Sequence, residues 1–248
     1  MMHVHFARNK FLNSLMVMFF CIMIILYSDS PARADRRNYV WTYQYLSLPK
    51  GETELEFYQT TKLRALDEWE YRIEIEHGLT NHWDFSVYQI FKQREKEPFM
   101  WDAVQFRSRY RIGEEGQYVV DPLLYVEYNR NLNLKQQNKL EAKVILAKTI
   151  TKFNIALNPV YEYAFAPKTN KEYGIDGGVS WEFHPAFILG IESTTRIEPA
   201  HGENEVQSYC GPTVSLASGK WWYSIGVGFG ITEDSDDARV RFLMGILF

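Results

Sequence analysis

Cysteine is almost absent from this 248-residue chain, which contains only Cys21 and Cys210. Cys21 lies in an N-terminal segment that we expect to be cleaved, which leaves one cysteine in the mature protein. A single cysteine cannot form an internal disulfide, and no spacing typical of a zinc site is present. The sequence therefore predicts a fold without disulfides or a structural metal, and we expect no cofactor.

Basic residues are not in excess. The chain has 27 Lys and Arg against 31 Asp and Glu, a formal net charge of −4. Residues 1–34 hold three of the basic residues and one of the acidic ones, so 24 and 30 remain after cleavage, a net charge of −6. No basic stripe is present, and we expect no nucleic-acid partner.

Long apolar runs are also lacking, with one exception near the N-terminus. Arg8 and Lys10 precede an unbroken apolar run at 15–27, and Pro31-Ala32-Arg33-Ala34 follows it. This order predicts a Sec signal peptide over residues 1–34, cleaved after Ala34. The alternative is a membrane anchor, for which the run is too short. No later run approaches the length of a membrane helix.

Period-two alternation dominates the chain after residue 52. In the clearest strand, at 69–77, apolar and charged residues separate onto opposite faces, as they do in a strand and not in a helix. The two sets are Trp69, Tyr71, Ile73 and Ile75 against Glu70, Arg72, Glu74 and Glu76.

The alternation predicts twelve strands, at 52–62, 67–78, 82–93, 101–112, 117–129, 138–150, 152–166, 171–183, 186–198, 205–217, 220–231 and 238–248. Three strands contain a proline, Pro122, Pro159 or Pro212, which predicts bulges or bends there. Residues 39–48 also have the pattern of a strand. We expect residues 35–51 to lie at the periplasmic rim or inside the lumen, and residues 52–248 to form the barrel.

Short turns alternate with longer polar connections between these strands. Together with the even strand count, this predicts an all-β fold, a single antiparallel transmembrane β-barrel with short periplasmic turns and moderate outer loops. Aromatic residues make up 16% of the chain, and those near the strand ends predict two girdles at the membrane interfaces. The periplasmic set is Trp83, Phe153, Trp181, Phe183, Phe187, Trp221 and Phe248, and the outer set is Trp69, Trp101, Tyr128, Tyr163 and Tyr173.

The last strand carries apolar residues at every second position and ends on an aromatic residue: Phe242, Met244, Ile246 and Phe248. It resembles the C-terminal assembly signal of bacterial outer-membrane proteins. The resemblance implies location in the bacterial outer membrane. The partners it implies are the barrel-assembly machinery, periplasmic chaperones, outer-membrane lipid and lipopolysaccharide.

A second pattern comprises Trp41-Thr42-Tyr43, the turn Leu48-Pro49-Lys50-Gly51, Glu54 with Glu56, and residues 74–80 (EIEHGLT). It resembles a group of uncharacterised outer-membrane barrels of porin or transporter type. This resemblance implies a fold and a location, but no cargo and no catalytic residue.

Charged residues on the inward phase are the candidate functional residues. We expect them to line the lumen, and the Arg107, Arg109 and Arg111 ladder suggests a narrow pore for passive transport of small polar or anionic solutes. The alternative is a closed barrel in which the charges pair and have a structural role. The predicted lumen-lining residues are Glu70, Arg72, Glu74, Glu76, Arg107, Arg109, Arg111, Glu127, Glu141, Lys143, Glu182, Arg239 and Arg241.

A lipid-modifying barrel enzyme is the third possibility. Such an enzyme needs a nucleophile, a His base and an orienting polar group. Among the predicted outer loops, His201 stands near Glu203 and Glu205, but no known hydrolase motif is present. We therefore expect no catalytic residue, and we interpret this loop and the acidic loop at 234–237 as solvated, not metal-binding.

Overall fold

The computed structural model describes residues 36–63, 68–133, 136–165, 170–199 and 204–248. The predicted signal peptide therefore lies outside the described residues. In the part of the chain that is described, no helix has the length and apolarity needed to cross a bilayer.

Twelve strands form one closed antiparallel barrel, in which each strand pairs with its sequence neighbours and β1 pairs with β12. The prediction of a twelve-stranded antiparallel barrel is confirmed. The strands are β1 (Thr53–Lys62), β2 (Glu68–Gly78), β3 (Trp83–Arg94), β4 (Met100–Arg111), β5 (Asp121–Asn131), β6 (Lys139–Ile150), β7 (Phe153–Ala164), β8 (Asn170–His184), β9 (Phe187–Pro199), β10 (Asn204–Ser218), β11 (Trp221–Gly230) and β12 (Ala238–Leu247).

The strands have an apolar outer face and a polar inner face, which is the reverse of a water-soluble barrel. On β2, Ile73 and Ile75 are exposed on the outside, whereas Glu74 and Glu76 are buried inside. The same alternation of exposed apolar and buried polar residues continues around the barrel. An apolar exterior around a polar interior is the pattern of a transmembrane barrel.

One predicted strand start is wrong. We expected the fifth strand from residue 117, but β5 begins at Asp121. The Asp121 carboxylate accepts hydrogen bonds from the backbone N–H of Gly116 (3.0 Å) and Tyr118 (3.3 Å), and Gly116 adopts a φ of +82°. These local bonds hold residues 116–120 in a turn, so this connection is longer than predicted.

Bulges or bends were expected at the three prolines, and the bulges are wrong. The pairing register is the same before and after Pro122, Pro159 and Pro212. The register shifts lie elsewhere, at Ile90/Phe91 between β3 and β4 and at Glu182/His184 between β8 and β9. A proline removes one ladder donor, and these strands absorb that loss without an inserted residue.

The two ends of the barrel differ in their connections. At the end we call the turn end, three of the five connections have only two residues, 151–152, 185–186 and 219–220. Thr151 and Gly219 adopt the left-handed φ that such turns need. The other end, which we call the loop end, has connections of four to seven residues. We identify the turn end with the predicted periplasmic side.

Aromatic side chains lie on the outer surface near both ends. At the turn end Phe153, Trp181 and Phe183 are exposed, with the Phe153 and Trp181 rings stacked at 6.2 Å. At the loop end Trp101 and Tyr173 are exposed. This distribution is suited to the two headgroup layers of a membrane.

Candidate functional site

Residues 36–51, which we call the plug, lie inside the barrel and form no strand, so the strand predicted at 39–48 is wrong. Tyr39, Val40 and Leu48 are almost completely buried. The plug enters at the turn end, where Arg36 bonds Glu182 at 2.8 Å. It returns to the same end, where the Gly51 N–H donates to the Gly78 carbonyl at 2.8 Å.

The apex of the plug, residues 40–43, is held by side chains of the barrel wall. The buried Glu192 carboxylate accepts the backbone N–H groups of Val40, Trp41 and Thr42, each at 2.9 Å. Asn158 accepts from the Tyr43 N–H at 2.6 Å and donates to the Tyr43 carbonyl at 3.0 Å. The irregular backbone of the apex therefore obtains from the wall the hydrogen bonds that a strand would have supplied.

Two glycines give the plug room against the wall. A Cβ added at Gly178 would lie 2.5 Å from Cε1 of Tyr39, and one added at Gly226 would lie 2.5 Å from Cγ2 of Val40. Real Cβ atoms do not approach other atoms so closely, so a larger residue at either position would require the Tyr39 or Val40 side chain to move or to be shortened. The wall is therefore shaped for this segment.

Below the apex, an ion-pair cluster fills the turn-end half of the barrel. Arg107 bonds Glu74 at 2.7 Å and also pairs with Glu76. Arg109 pairs with Glu76 and with Asp84, the latter at 2.7 Å. All five side chains are nearly inaccessible to solvent. The carboxylates and guanidinium groups pair with one another, and these side chains leave almost no accessible surface in this half of the interior.

The plug contributes a cation to this cluster. Arg37 donates to the Tyr58 hydroxyl at 2.7 Å and lies 3.3 Å from Glu56. Burial lowers the pKa of the Arg37 guanidinium, but the Glu56 carboxylate and neighbouring tyrosines raise it, and the net pKa lies well above its usual value. The plug is therefore anchored by a permanently charged group as well as by its apex.

Above the apex, a cavity of about 610 Å³ occupies the loop-end half of the barrel. Trp41 and Tyr43 of the plug form its floor, and Arg94 and Asn131 lie near its loop-end rim. A separate space beside Arg37 and Glu76 measures only about 10 Å³, enough for roughly one water. Tyr43 of the plug lines both spaces, so the plug lies between them.

Basic residues outnumber acidic ones around this cavity. The lining contains eight basic residues, Arg72, Lys92, Arg94, Lys139, Lys143, Arg196, Arg239 and Arg241, and five acidic ones, Glu70, Asp102, Glu127, Glu141 and Glu162. Several pair directly, such as Lys139 with Glu162 at 2.6 Å and Lys143 with Glu141 at 3.0 Å. Arg196 also pairs with Asp176 at 2.6 Å and Arg94 with Glu68 at 3.1 Å, and both carboxylates lie outside the lining. Arg239 and Arg241 are therefore the lining cations that form no ion pair within the described residues, and their charge favours anions in the cavity.

The thirteen residues predicted to line the lumen fall into three groups. Seven line the cavity: Glu70, Arg72, Glu127, Glu141, Lys143, Arg239 and Arg241. Four lie in the ion-pair cluster: Glu74, Glu76, Arg107 and Arg109. Arg111 and Glu182 lie at the turn end, where they contact Tyr45 and Arg36 of the plug. The role of these residues in permeation stays a prediction.

Sequence reasoning missed the residues that hold the plug and part of the cavity wall. Glu192, Asn158 and Arg196 lie on the inward phase of β9 or β7, so the alternation alone could have marked them as interior. No sequence pattern links Glu192 to the backbone of residues 40–42, because that contact joins positions about 150 apart.

The candidate metal and catalytic residues gain no support from the structure. His201, Glu203 and the rest of 200–203 lie outside the described residues. In the described chain, the acidic group with metal-ligand spacing is Glu56, Glu74 and Glu76, and guanidinium groups already bind these carboxylates. Asp234 accepts the Val206 N–H at 2.8 Å and so has a structural role.

The C-terminal residues lie on the outer surface. Phe242, Met244 and Ile246 are partly exposed on β12, and Phe248 is exposed beyond it. The Phe248 N–H donates to the Thr53 carbonyl at 2.9 Å, which helps to close the barrel. Their role as an assembly signal stays a prediction.

Solved structures show the same architecture. No protein-family model and no curated protein matches the chain. The NanC porin is similar over 78% of this chain and 98% of its own, with 13% identity and a TM-score of 0.58. A KdgM porin in complex with disordered oligogalacturonate matches over 79% and 98%, with 13% identity and a TM-score of 0.56. An outer-membrane channel from Pseudomonas putida F1 matches over 82% and 98%, with 10% identity and a TM-score of 0.60. The chain has the fold of bacterial outer-membrane β-barrel proteins.

Proposed function

We propose that this protein is an outer-membrane channel for small polar solutes, with a preference for anions, and that the plug controls passage through its turn-end half. The observation that carries this proposal is the polar cavity of about 610 Å³, which contains two arginines, Arg239 and Arg241, that form no ion pair within the described residues, and which has a floor formed by the plug. The fold shared with porins is consistent with it.

The preference for anions follows from the loop-end cavity and not from the predicted arginine ladder. Arg107 and Arg109 are neutralised by Glu74, Glu76 and Asp84, so they offer little field to a passing ion. The KdgM porin has been solved with an acidic oligosaccharide. Anionic saccharides are therefore a reasonable first class of solutes to test here.

Charge reversal in the cavity tests this function. Arg94→Glu/Lys139→Glu places two negative charges near the loop-end rim, where both side chains are partly exposed. We expect reversal potentials in a KCl gradient to show anion preference for the wild type and a several-fold loss of that preference in the variant, because the local field changes sign.

A matched control makes the same change in net charge at two positions outside the cavity. Arg130 and Lys171 are exposed at the loop end and do not line the cavity. Arg130→Glu/Lys171→Glu should leave the reversal potential close to the wild-type value. Equal reversal potentials in the wild type and the cavity variant would contradict the proposed selectivity.

A closed structural barrel is the second candidate function, because the ion-pair cluster fills the turn-end half. It predicts no conductance from correctly inserted protein under any condition. The cavity above the plug favours the channel, since a purely structural interior has no need for an unfilled volume with surplus charge.

A further inference from the structure

Two neighbouring arginines at the floor of the cavity form no ion pair within the described residues. Arg239 and Arg241 lie two positions apart on β12 and line the cavity beside Trp41. Arg241 donates to the Thr60 hydroxyl at 2.9 Å and to the Val40 carbonyl at 3.3 Å. Arg239 donates to the Thr194 hydroxyl. All of these acceptors are neutral.

The strand register explains why no carboxylate meets them from the adjacent strands. Arg241 stands opposite Thr60 on β1 and Gly226 on β11. Arg239 stands opposite Lys62 and Gly228, so one of its neighbours carries the same charge. Glu70, which interacts electrostatically with Arg241, is already engaged with Arg72 at 2.7 Å and Lys92 at 3.7 Å.

Aromatic rings hold the two guanidinium groups in place. The Cζ of Arg239 lies 4.5 Å from the Trp41 ring centroid and 4.1 Å from that of Tyr209. The Cζ of Arg241 lies 5.5 Å from the Trp41 ring. Stacking on a ring face fixes a planar guanidinium and leaves its edge N–H groups free to bind an anion.

Unpartnered hydrogen-bond donors lie at the same place. Nε of Arg239 and Nε1 of Trp41 are buried and have no acceptor. Two cations without a counter-ion are unfavourable in an empty interior, and one bound oxyanion would compensate their charge. We propose that Arg239 and Arg241, with Trp41, form a binding site for the carboxylate or phosphate group of a small solute.

This inference deepens the proposed function and rests on it for its biological meaning. Because Arg241 contacts both Val40 and Trp41 of the plug apex, a solute bound there would lie directly on the segment that closes the barrel. The site is thus placed where a transported anion would stop before passage.

Calorimetric titration of the refolded protein in detergent tests the site with three probes, glucuronate, glucose 1-phosphate and glucose. We expect at least one of the two anions to bind about tenfold or more tightly than glucose, because charge-assisted hydrogen bonds to guanidinium add to the affinity. Tighter binding of glucuronate would identify a carboxylate site, and tighter binding of glucose 1-phosphate a phosphate site. Anions that bind no better than glucose would overturn the proposal.

Two pairs of substitutions separate a site from a general field. Arg239→Gln/Arg241→Gln should weaken anion binding by about tenfold or more, because it removes both guanidinium contacts. Arg94→Gln/Lys139→Gln removes the same charge from the rim of the same cavity and should weaken binding by only about threefold. Equal losses in the two variants would overturn the site in favour of a diffuse attraction. Heat-modifiable gel migration, which reports a folded barrel, must be retained in both variants.

The result is independent of the conductance experiments. Binding is measured without a membrane, so a silent bilayer combined with tight, Arg239-dependent binding would reject the channel and keep the site. Anion-selective conductance without such binding would reject the site and keep the channel.

Discussion

Glu192→Ala is expected to raise the open probability of the reconstituted protein by about tenfold or more. Glu192 accepts three consecutive backbone N–H groups of the plug apex, each at 2.9 Å. A hydrogen bond to a charged group contributes roughly 1.5–3 kcal/mol, and about 1.4 kcal/mol corresponds to a factor of ten in an equilibrium constant. Loss of even one of the three bonds therefore accounts for the expected change.

Single-channel recording in planar bilayers measures this effect, with Glu198→Ala as the control. Glu198 lies on the same strand and the same inward phase as Glu192, but it is exposed near the loop end. Its removal should leave the open probability near that of the wild type. Glu192→Gln, which keeps one acceptor oxygen, should give an intermediate value. An open probability unchanged in Glu192→Ala would mean that this carboxylate does not retain the plug.

Arg107→Ala is expected to lower the free energy of unfolding by about 3–5 kcal/mol, the usual cost of leaving buried charges without their partner. Arg107 is fully buried and pairs with Glu74 and Glu76. Removal of the guanidinium leaves two carboxylates close together in a closed interior. Urea titration of the protein in lipid vesicles, followed by tryptophan fluorescence, measures the change.

Two further variants make this test specific to the cluster. Arg111→Ala removes an arginine from the same strand, at the turn end, where it has no carboxylate partner among the described residues, and should cost about 1 kcal/mol or less. Arg107→Met combined with Glu74→Gln and Glu76→Gln removes Arg107 together with its two carboxylate partners, leaves the Arg109–Asp84 pair in place, and should recover part of the lost stability. If Arg107→Ala and Arg111→Ala were equally stable, the cluster would not hold the interior together.

The barrel itself could be predicted because its determinants are local. Alternation in each strand reports which face meets lipid, and residues such as Ile73 and Glu74 lie on the faces that the pattern assigned. The error at the start of β5 arose because Asp121 caps the preceding turn with its side chain. A period-two pattern carries no information about such a cap.

The interior was harder to predict because it depends on register and on long-range contacts. The inward direction of Arg107 and Arg109 followed from the pattern, but their neutralisation did not. Arg109 stands directly opposite Asp84 in the β3–β4 pair, which a correct register for that hairpin would have revealed. To predict that Arg239 faces no carboxylate, one must know the register between β1 and β12, which places Lys62 opposite it. These two strands lie at opposite ends of the chain, so no single hairpin determines their register.

The plug could not be predicted as an irregular segment. Its residues alternate like those of a strand, but the backbone N–H groups of Trp41 and Tyr43 do not bond the backbone of a neighbouring strand. The Tyr43 N–H donates to the side chain of Asn158, and the Trp41 N–H donates to the side chain of Glu192. The glycines that make room for it, Gly178 and Gly226, have ordinary strand surroundings in the sequence. Only the closed barrel brings these residues together.

A reversible cross-link between plug and wall tests whether the plug must move for solutes to pass. A Cβ at Gly226 would lie 2.5 Å from Cγ2 of Val40, and two cysteines at such positions can approach the Cβ separation of about 3.5–4.5 Å that a disulfide needs. The protein to measure is Val40→Cys/Gly226→Cys in a Cys210→Ser background, because Cys210 is the free cysteine of the described chain. Val40→Cys in that background is the control.

The measurement is single-channel conductance of the cross-linked protein before and after addition of dithiothreitol. We expect no openings in the oxidised state and openings after reduction, with the control unaffected by the reductant. Equal conductance before and after reduction would contradict the claim that the plug must move for solutes to pass.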